Sequence, residues 1–337
     1  MSNIAVVGAG AWGTALAAHL ARRDDVRVTL HARDTARARE IAAARRNERY
    51  LPGIELPEAL AVSADIAAAA RADLIIAATP VAALPGLADQ LARAGARAPL
   101  VWLSKGFLEV DSSPALPAGV ALAHQVLGPR WPSPVGIVSG PSFAEEVARR
   151  LPTAVAVAAT DAALAAQVAS LLRADTLRAY ESDDLAGVEV GGAVKNVLAI
   201  AAGASDGLGF GHNARAALIT RGLAETGRLS AALGGSRETL MGLAGLGDLV
   251  LTCTGDLSRN RRVGLALARG RTLTQILPEL GHVAEGVAAA RAARILARHY
   301  RIEMPIVEAV HRVLYENLAP RDAVLALLRR EPRAESG

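Results

Sequence analysis

The chain has 337 residues, 52% of them apolar but only 3% aromatic, and a net charge of +4. That length exceeds one compact core, so two domains are expected, with interiors filled by Ala, Leu and Val rather than by rings. The single cysteine, Cys253, excludes an internal disulfide and has no metal-ligand spacing around it; the dispersed arginines, almost without aromatic neighbours, argue against a nucleic-acid partner.

The chain starts Met1-Ser2-Asn3 and runs straight into an apolar strand, so no secretory leader is expected. The longest apolar tracts, around 154–172 and 186–204, are interrupted by Asp161 and Lys195 and fall short of an uncharged membrane span. The expectation is a soluble, cytoplasmic protein.

Residues 4–7 form an apolar run that ends at Gly8-Ala9-Gly10-Ala11-Trp12-Gly13, and an alanine-rich helical stretch follows. Strand, glycine turn and helix in this order make a dinucleotide site. The first glycine permits the turn, the second lets a pyrophosphate approach the backbone, and the third lets the helix pack on the strand. A second strand at Val26–Leu30 completes the context. The acidic residue expected to read a ribose hydroxyl is missing from its end, where Arg33 stands. A guanidinium there suits a 2′-phosphate, so NADP is expected, while Asp34 leaves NAD open.

Further strand-like runs at 74–78, 100–103, 135–138 and 154–158 alternate with helical stretches. This pattern predicts an α/β fold with a Rossmann-type, doubly wound, mainly parallel sheet over residues 1–183. Polar groups follow several strands, at Thr79-Pro80, Ser104-Lys105-Gly106 and Ser139-Gly140-Pro141-Ser142-Phe143. Ligands in such sheets bind beyond the carboxyl ends of the strands.

From residue 184 to 337 the periodicity is helical, over roughly 186–203, 213–233, 258–269, 284–299, 305–317 and 320–330, which predicts an all-α second domain. Lys105 and Lys195 are the only lysines among 37 Lys and Arg residues. An arginine keeps its proton, whereas a buried lysine can trade one near neutral pH, so these two positions are candidates for chemistry. Lys195 and Asn196 lie in a glycine-flanked apolar helix. Asp248, read as sitting on a flexible glycine-rich turn after Gly242–Gly247, with Thr252 one helical turn on, could hold Lys195 by a charged hydrogen bond. Ser258-Arg259-Asn260 opens a helix, with Ser258 as cap, and is a candidate phosphate site. Together with the dinucleotide turn these residues supply what the reduction of a phosphate-bearing ketone needs.

At Gly192-Ala193-Val194-Lys195-Asn196-Val197-Leu198-Ala199-Ile200-Ala201-Ala202-Gly203 the chain resembles the bacterial NAD(P)-dependent glycerol-3-phosphate dehydrogenases, and the agreement extends in register from Gly8 through Glu285. The resemblance implies interconversion of dihydroxyacetone phosphate and glycerol 3-phosphate, with Lys195 as general acid and base and Asn196 beside it. It implies that Lys105, Gly140, Ser142, Asp248, Thr252, Ser258, Arg259 and Asn260 serve the substrate. Gly8, Gly10, Ala11, Trp12, Gly13, Arg33, Lys105, Ala144, Arg259, Val283 and Glu285 would serve the NADP or NAD cofactor. A homodimer feeding phospholipid synthesis is implied too. The hydroxyisobutyrate and phosphogluconate dehydrogenases resemble one another in an Asn four residues after the lysine, where this chain has Ala199. A non-enzymatic NADPH-binding redox sensor would explain the glycine turn but not the Lys195, Asp248 and Arg259 set.

Overall fold

The computed structural model describes residues 1–114, 116, 118–174, 176–280 and 284–329. Eight strands share one sheet: β1 (Ser2–Val7), β2 (Val26–His31), β3 (Ala61–Ser63), β4 (Leu74–Ala77), β5 (Leu100–Trp102), β6 (Val135–Ser139), β7 (Thr153–Ala159) and β8 (Leu177–Ser182). Their order is β8-β7-β6-β5-β4-β1-β2-β3. The central strands are buried on both faces, which is why Ile4–Val7 of β1, all of β4 and Leu100–Trp102 of β5 read as unbroken apolar runs.

Every neighbouring pair is parallel except β6 and β7. The exception has a simple cause. The only helix between them, Ala144–Ala148, has five residues and rises about 7.5 Å, too little to return along a strand of about 17 Å. The chain therefore re-enters the sheet from the edge it left. β3 and β8, at the two edges, carry no strong apolar signal in the sequence. β8 alternates buried Leu177 and Ala179 with exposed Arg178 and Tyr180, as an edge strand does.

Beyond residue 182 no strand occurs among the described residues. The helices Leu185–Gly207, Gly211–Ala232, Arg259–Ala268, Glu285–His299, Pro305–Tyr315 and Pro320–Leu328 answer the six expected ones. The glycine-rich stretch before Asp248 is a correction: Leu243–Gly247 is a π-helical turn running into the helix Asp248–Thr254, so Asp248 sits on regular helix rather than on a flexible turn. Asp248 has αR dihedrals, and the Gly247 N–H bonds back to the Gly242 carbonyl.

Leu185–Gly207 has the length and composition of a bilayer span, yet it is buried within the protein along most of its course. Helices Gly211–Ala232, Asp248–Thr254, Arg259–Ala268 and Glu285–His299 pack around it. Its crossing with Arg259–Ala268 is a backbone contact. A side-chain carbon on Gly203 would run into the Arg261 carbonyl, and one on Gly264 into the Ile200 carbonyl.

Ala at position 264 would force these helices apart, at a cost of about 1–3 kcal/mol or more. Guanidinium unfolding of Gly264→Ala should show a midpoint clearly below that of the parent with an unchanged slope.

Candidate active site

The glycine turn follows β1, at the point where the sheet order reverses between β2 and β4. Gly8 has φ +125°, and a side-chain carbon there would lie 2.5 Å from the Ala78 oxygen. Gly13 is pressed against the Gly8 carbonyl, whereas the α-carbon of Gly10 faces open space. So each glycine meets the steric demand expected of its place, and Gly10 is where a ligand backbone can approach. The helix Ala11–Leu20 begins without a side-chain cap and without an acid in its first turn, leaving its N–H groups directed at that space. Ala11 and Trp12 are half-buried in this first turn, and Ala144 opens the short helix packed on it. Three buried hydroxyls, Thr79, Ser104 and Ser139, sit at the carboxyl ends of β4, β5 and β6 without a protein partner. The residues present fit a dinucleotide. Arg33 is exposed two residues past β2, and Asp34 caps the next helix by accepting from the Arg37 N–H at 2.8 Å.

The two lysines converge on one carboxylate. Lys195 Nζ donates to Asp248 Oδ1 at 2.6 Å and to Thr252 Oγ1 at 2.9 Å. Lys105 Nζ donates to Asp248 Oδ2 at 2.6 Å and to the Gly140 carbonyl at 3.0 Å. Asp248 is 1% exposed and Lys195 8%. Their approach depends on Gly192, whose absent side chain leaves room for the Lys105 stem and the Ser139 hydroxyl. Gly140 takes φ +136°, and its carbonyl also accepts from Ser142 Oγ at 2.9 Å.

Burial lowers the pKa of Lys195 to about 8; Asp248 pulls the other way and Lys105 adds to the depression. Burial alone would raise the Asp248 carboxyl, but Lys105 and Lys195 together hold it below the usual range. Cys253 is next to this cluster, and burial pushes its thiol up to about 12, so it stays a packing residue.

The third element is the helix Arg259–Ala268. Ser258 caps it, accepting from the Arg261 N–H at 3.3 Å, and no acid lies in its first turn. Arg259 is exposed, while Asn260 is buried and donates to Asn196 Oδ1 at 2.9 Å. Asn260 Oδ1 in turn accepts from the Gly286 N–H at 3.1 Å, which fixes the start of the helix Glu285–His299. Asn196 is thus engaged with Asn260. Burial raises the Glu285 carboxyl against the attraction of Arg259, Lys195 and Lys105, which places Glu285 at the same cluster. Val283 lies outside the described residues.

The paired lysines and the helix terminus are thus joined through Asn196 and Asn260, and the glycine turn and Lys105 both follow carboxyl ends of strands in the same parallel part of the sheet. Two profiles cover the chain: that of the NAD-dependent glycerol-3-phosphate dehydrogenase N-terminus matches residues 3–165, and that of the C-terminus residues 184–325. The chain belongs to the NAD-dependent glycerol-3-phosphate dehydrogenase family. It is 56% identical to the glycerol-3-phosphate dehydrogenase [NAD(P)+] of Aromatoleum aromaticum, over 99% of this chain and all of that one. It is 55% identical to that of Burkholderia lata with the same coverage. A crystal structure of the glycerol-3-phosphate dehydrogenase of Coxiella burnetii superposes with a TM-score of 0.91 at 42% identity, covering 98% of this chain and 99% of that one.

Two supports escaped the sequence. Asn47, from the hairpin of Arg46–Asn47 with Leu51–Glu55, donates to the Ala9 carbonyl at 3.0 Å and to Thr14 Oγ1 at 2.7 Å, bracing the glycine turn. Glu189, about two turns before Lys195, accepts from the His124 backbone N–H and pairs with the His124 ring, and so caps the helix Ala123–Leu127, whose own cap residue is Leu122. Neither lies in a motif, and only the burial of a lone polar residue marks them.

Because the chain has two lysines, selective ¹³C labelling at Cε gives two signals. With assignment by Lys195→Arg, the Lys195 signal should titrate at about 8. Titration at the ordinary 10.5 would contradict a desolvated amine.

Proposed function

We propose that the chain interconverts dihydroxyacetone phosphate and sn-glycerol 3-phosphate, with Lys195 as its proton donor and acceptor. The observation that carries this assignment is the pair of lysines bridged by Asp248 at the carboxyl edge of a dinucleotide-binding sheet. In this proposal residues 1–183 form the nucleotide domain and 184–337 the catalytic one. Gly8, Gly10, Ala11, Trp12, Gly13, Arg33, Ala144, Arg259, Val283 and Glu285 hold NAD or NADP, whose nicotinamide, when bound, supplies the hydride.

Lys195 as ammonium gives its proton to the oxygen on C2 as that oxygen gains charge; in the oxidative direction the neutral amine removes the hydroxyl proton. Asp248 and Thr252 take up two of the donor directions on Nζ and leave the third for substrate. Lys105 adds positive charge where the oxyanion develops. The capped N-terminus at Ser258, with Arg259 and Asn260, receives the phosphate, and Gly140 and Ser142 line the opposite wall. Asn196 acts through Asn260, keeping that terminus in register with Lys195. The family resemblance supports a cytoplasmic homodimer that supplies glycerol 3-phosphate to phospholipid synthesis.

Lys195→Ala should cut turnover of dihydroxyacetone phosphate by about 10³-fold or more while leaving NADPH fluorescence titrations nearly unchanged. Near-parental turnover would remove Lys195 from the chemistry.

The pH profiles in the two directions should mirror each other. Reduction needs the ammonium, so its kcat/KM falls as pH rises through about 8, whereas kcat/KM for oxidation rises through the same value. Parallel profiles would exclude Lys195 as the shared group.

A further inference from the structure

We propose that Asp206, acting through Arg261, is a positioning residue for the reaction: their ion pair sets where the helix terminus at Ser258 stands along the helix that carries Lys195. The inference rests on the dehydrogenase reading and deepens it.

Asp206 lies in the last turn of the helix Leu185–Gly207, about three turns beyond Lys195. One of its oxygens, Oδ2, accepts from Arg261 Nε at 3.0 Å, from Arg261 Nη2 at 2.7 Å and from Arg215 Nη1 at 2.9 Å. The Arg261 and Asp206 side chains are only 13% and 11% exposed, so the pair is largely desolvated rather than a surface contact. The remaining edge of the Arg261 guanidinium is engaged as well. Nη1 donates to Asp256 Oδ1 at 2.9 Å, in the turn that leads into Ser258, while the Arg261 backbone N–H donates to the Ser258 hydroxyl. A single residue therefore joins the turn before the terminus, the cap itself and the Lys195 helix, which needs a planar group with donors on several edges.

The terminus is mounted at two points. Adjacent residues reach in opposite directions along Leu185–Gly207: Asn260 to Asn196 at 2.9 Å, and Arg261 to Asp206, about 15 Å further along. Between them the Arg261 carbonyl rests on Gly203. One tether would leave the terminus free to swing about that backbone contact; two do not. Asp206 and Asp256 balance the charges of Arg215 and Arg261, so the group is no anion receptor in its own right. What it contributes is the place it gives to Ser258, Arg259 and Asn260. A substrate held by its phosphate at one end and protonated on the C2 oxygen at the other needs that place to match Lys195 closely, since an error of about 1 Å costs on the order of 10²-fold in rate.

Steady-state reduction of dihydroxyacetone phosphate at saturating NADPH by full-length Asp206→Asn tests the role, because the amide keeps the shape of the side chain and loses its charge. The expected result is a kcat lower by about tenfold or more, a KM within about threefold of the parent, and a Lys195 ¹³C signal still titrating at about 8. Charge alone predicts something else: deleting a carboxylate near an anion tightens binding and lowers KM at unchanged kcat. That outcome, or a smaller loss of kcat, overturns the positioning role. So does a KM raised along with the lost kcat, or a Lys195 signal moved towards 10.5, either of which marks general loosening. Arg261→Lys keeps the charge but cannot span Asp206 and Asp256, so it should repeat the pattern, and it decides the matter where Asp206→Asn does not fold. Unfolding of both variants makes the pair a packing element and overturns the proposal, with the dehydrogenase reading left standing. A parent that does not turn over dihydroxyacetone phosphate overturns that reading itself, and the positioning role with it.

Discussion

Asp248 is the constraint on which the remaining site depends. Two ammonium groups from distant parts of the chain meet one buried carboxylate, each at 2.6 Å. Without that carboxylate Lys195 would be an unpaired ammonium in a dry place, and an unpaired buried charge costs several kcal/mol. One negative charge shared between two positive ones leaves the trio with an excess of +1, an environment suited to a phosphorylated substrate and to an oxygen gaining charge. The same sharing explains the acidity of Lys195: it receives only part of the stabilisation of its partner, while desolvation and Lys105 both oppose its charge.

Small residues make the convergence possible. Gly192 admits the Lys105 stem against the helix Leu185–Gly207, and Gly191 admits the Ala244 carbonyl. Gly203 and Gly264 let the helix Arg259–Ala268 cross it at backbone contact. Any larger side chain at these points would move Lys195 away from Lys105 or from the helix terminus at Ser258 by more than a hydrogen bond tolerates. A composition nearly free of rings, which looks at first like a weak core, is what such close helix packing needs. The core around Leu185–Gly207 is accordingly built of Val190, Ala193, Val194, Val197 and Leu198 with neighbours of similar size.

Much of this was legible because residue type and local pattern carried it. The glycine turn, the two lysines, Asp248 and the Ser258 cap are each defined by chemistry that few other residues supply, and the structure brings the lysines onto Asp248 and confirms Ser258 as a cap. The six long helices followed from their periodicity. What stayed hidden depends on contacts between positions far apart in sequence. Asn47 acts on Ala9 and Thr14, and Glu189 caps a helix more than sixty residues earlier, pairings that no local window contains. The edge strands β3 and β8 were missed because half of each faces solvent, which removes the apolar run that marked the central strands. The helical setting of Asp248 was missed because three glycines in the seven residues 242–248 read as a turn, although close packing rather than conformational freedom requires at least Gly245, pressed against the Leu240 backbone.

Hydride and proton must arrive at adjacent atoms, the carbon and the oxygen of one carbonyl, although the groups that deliver them are built on different halves of the chain. Lys105 follows β5 and belongs to the sheet, Lys195 belongs to the helices, and Asp248 binds both. The bridge therefore has a geometric consequence as well as an electrostatic one, since it ties Lys195 to the strand end that carries Lys105. The two consequences are coupled. Any separation of the halves would bring water to Lys195 and remove the repulsion of Lys105, and both changes raise its pKa. An amine lowered to about 8 is thus a property of the assembled lysine and aspartate cluster, and the role proposed for Lys195 depends on the two halves staying together.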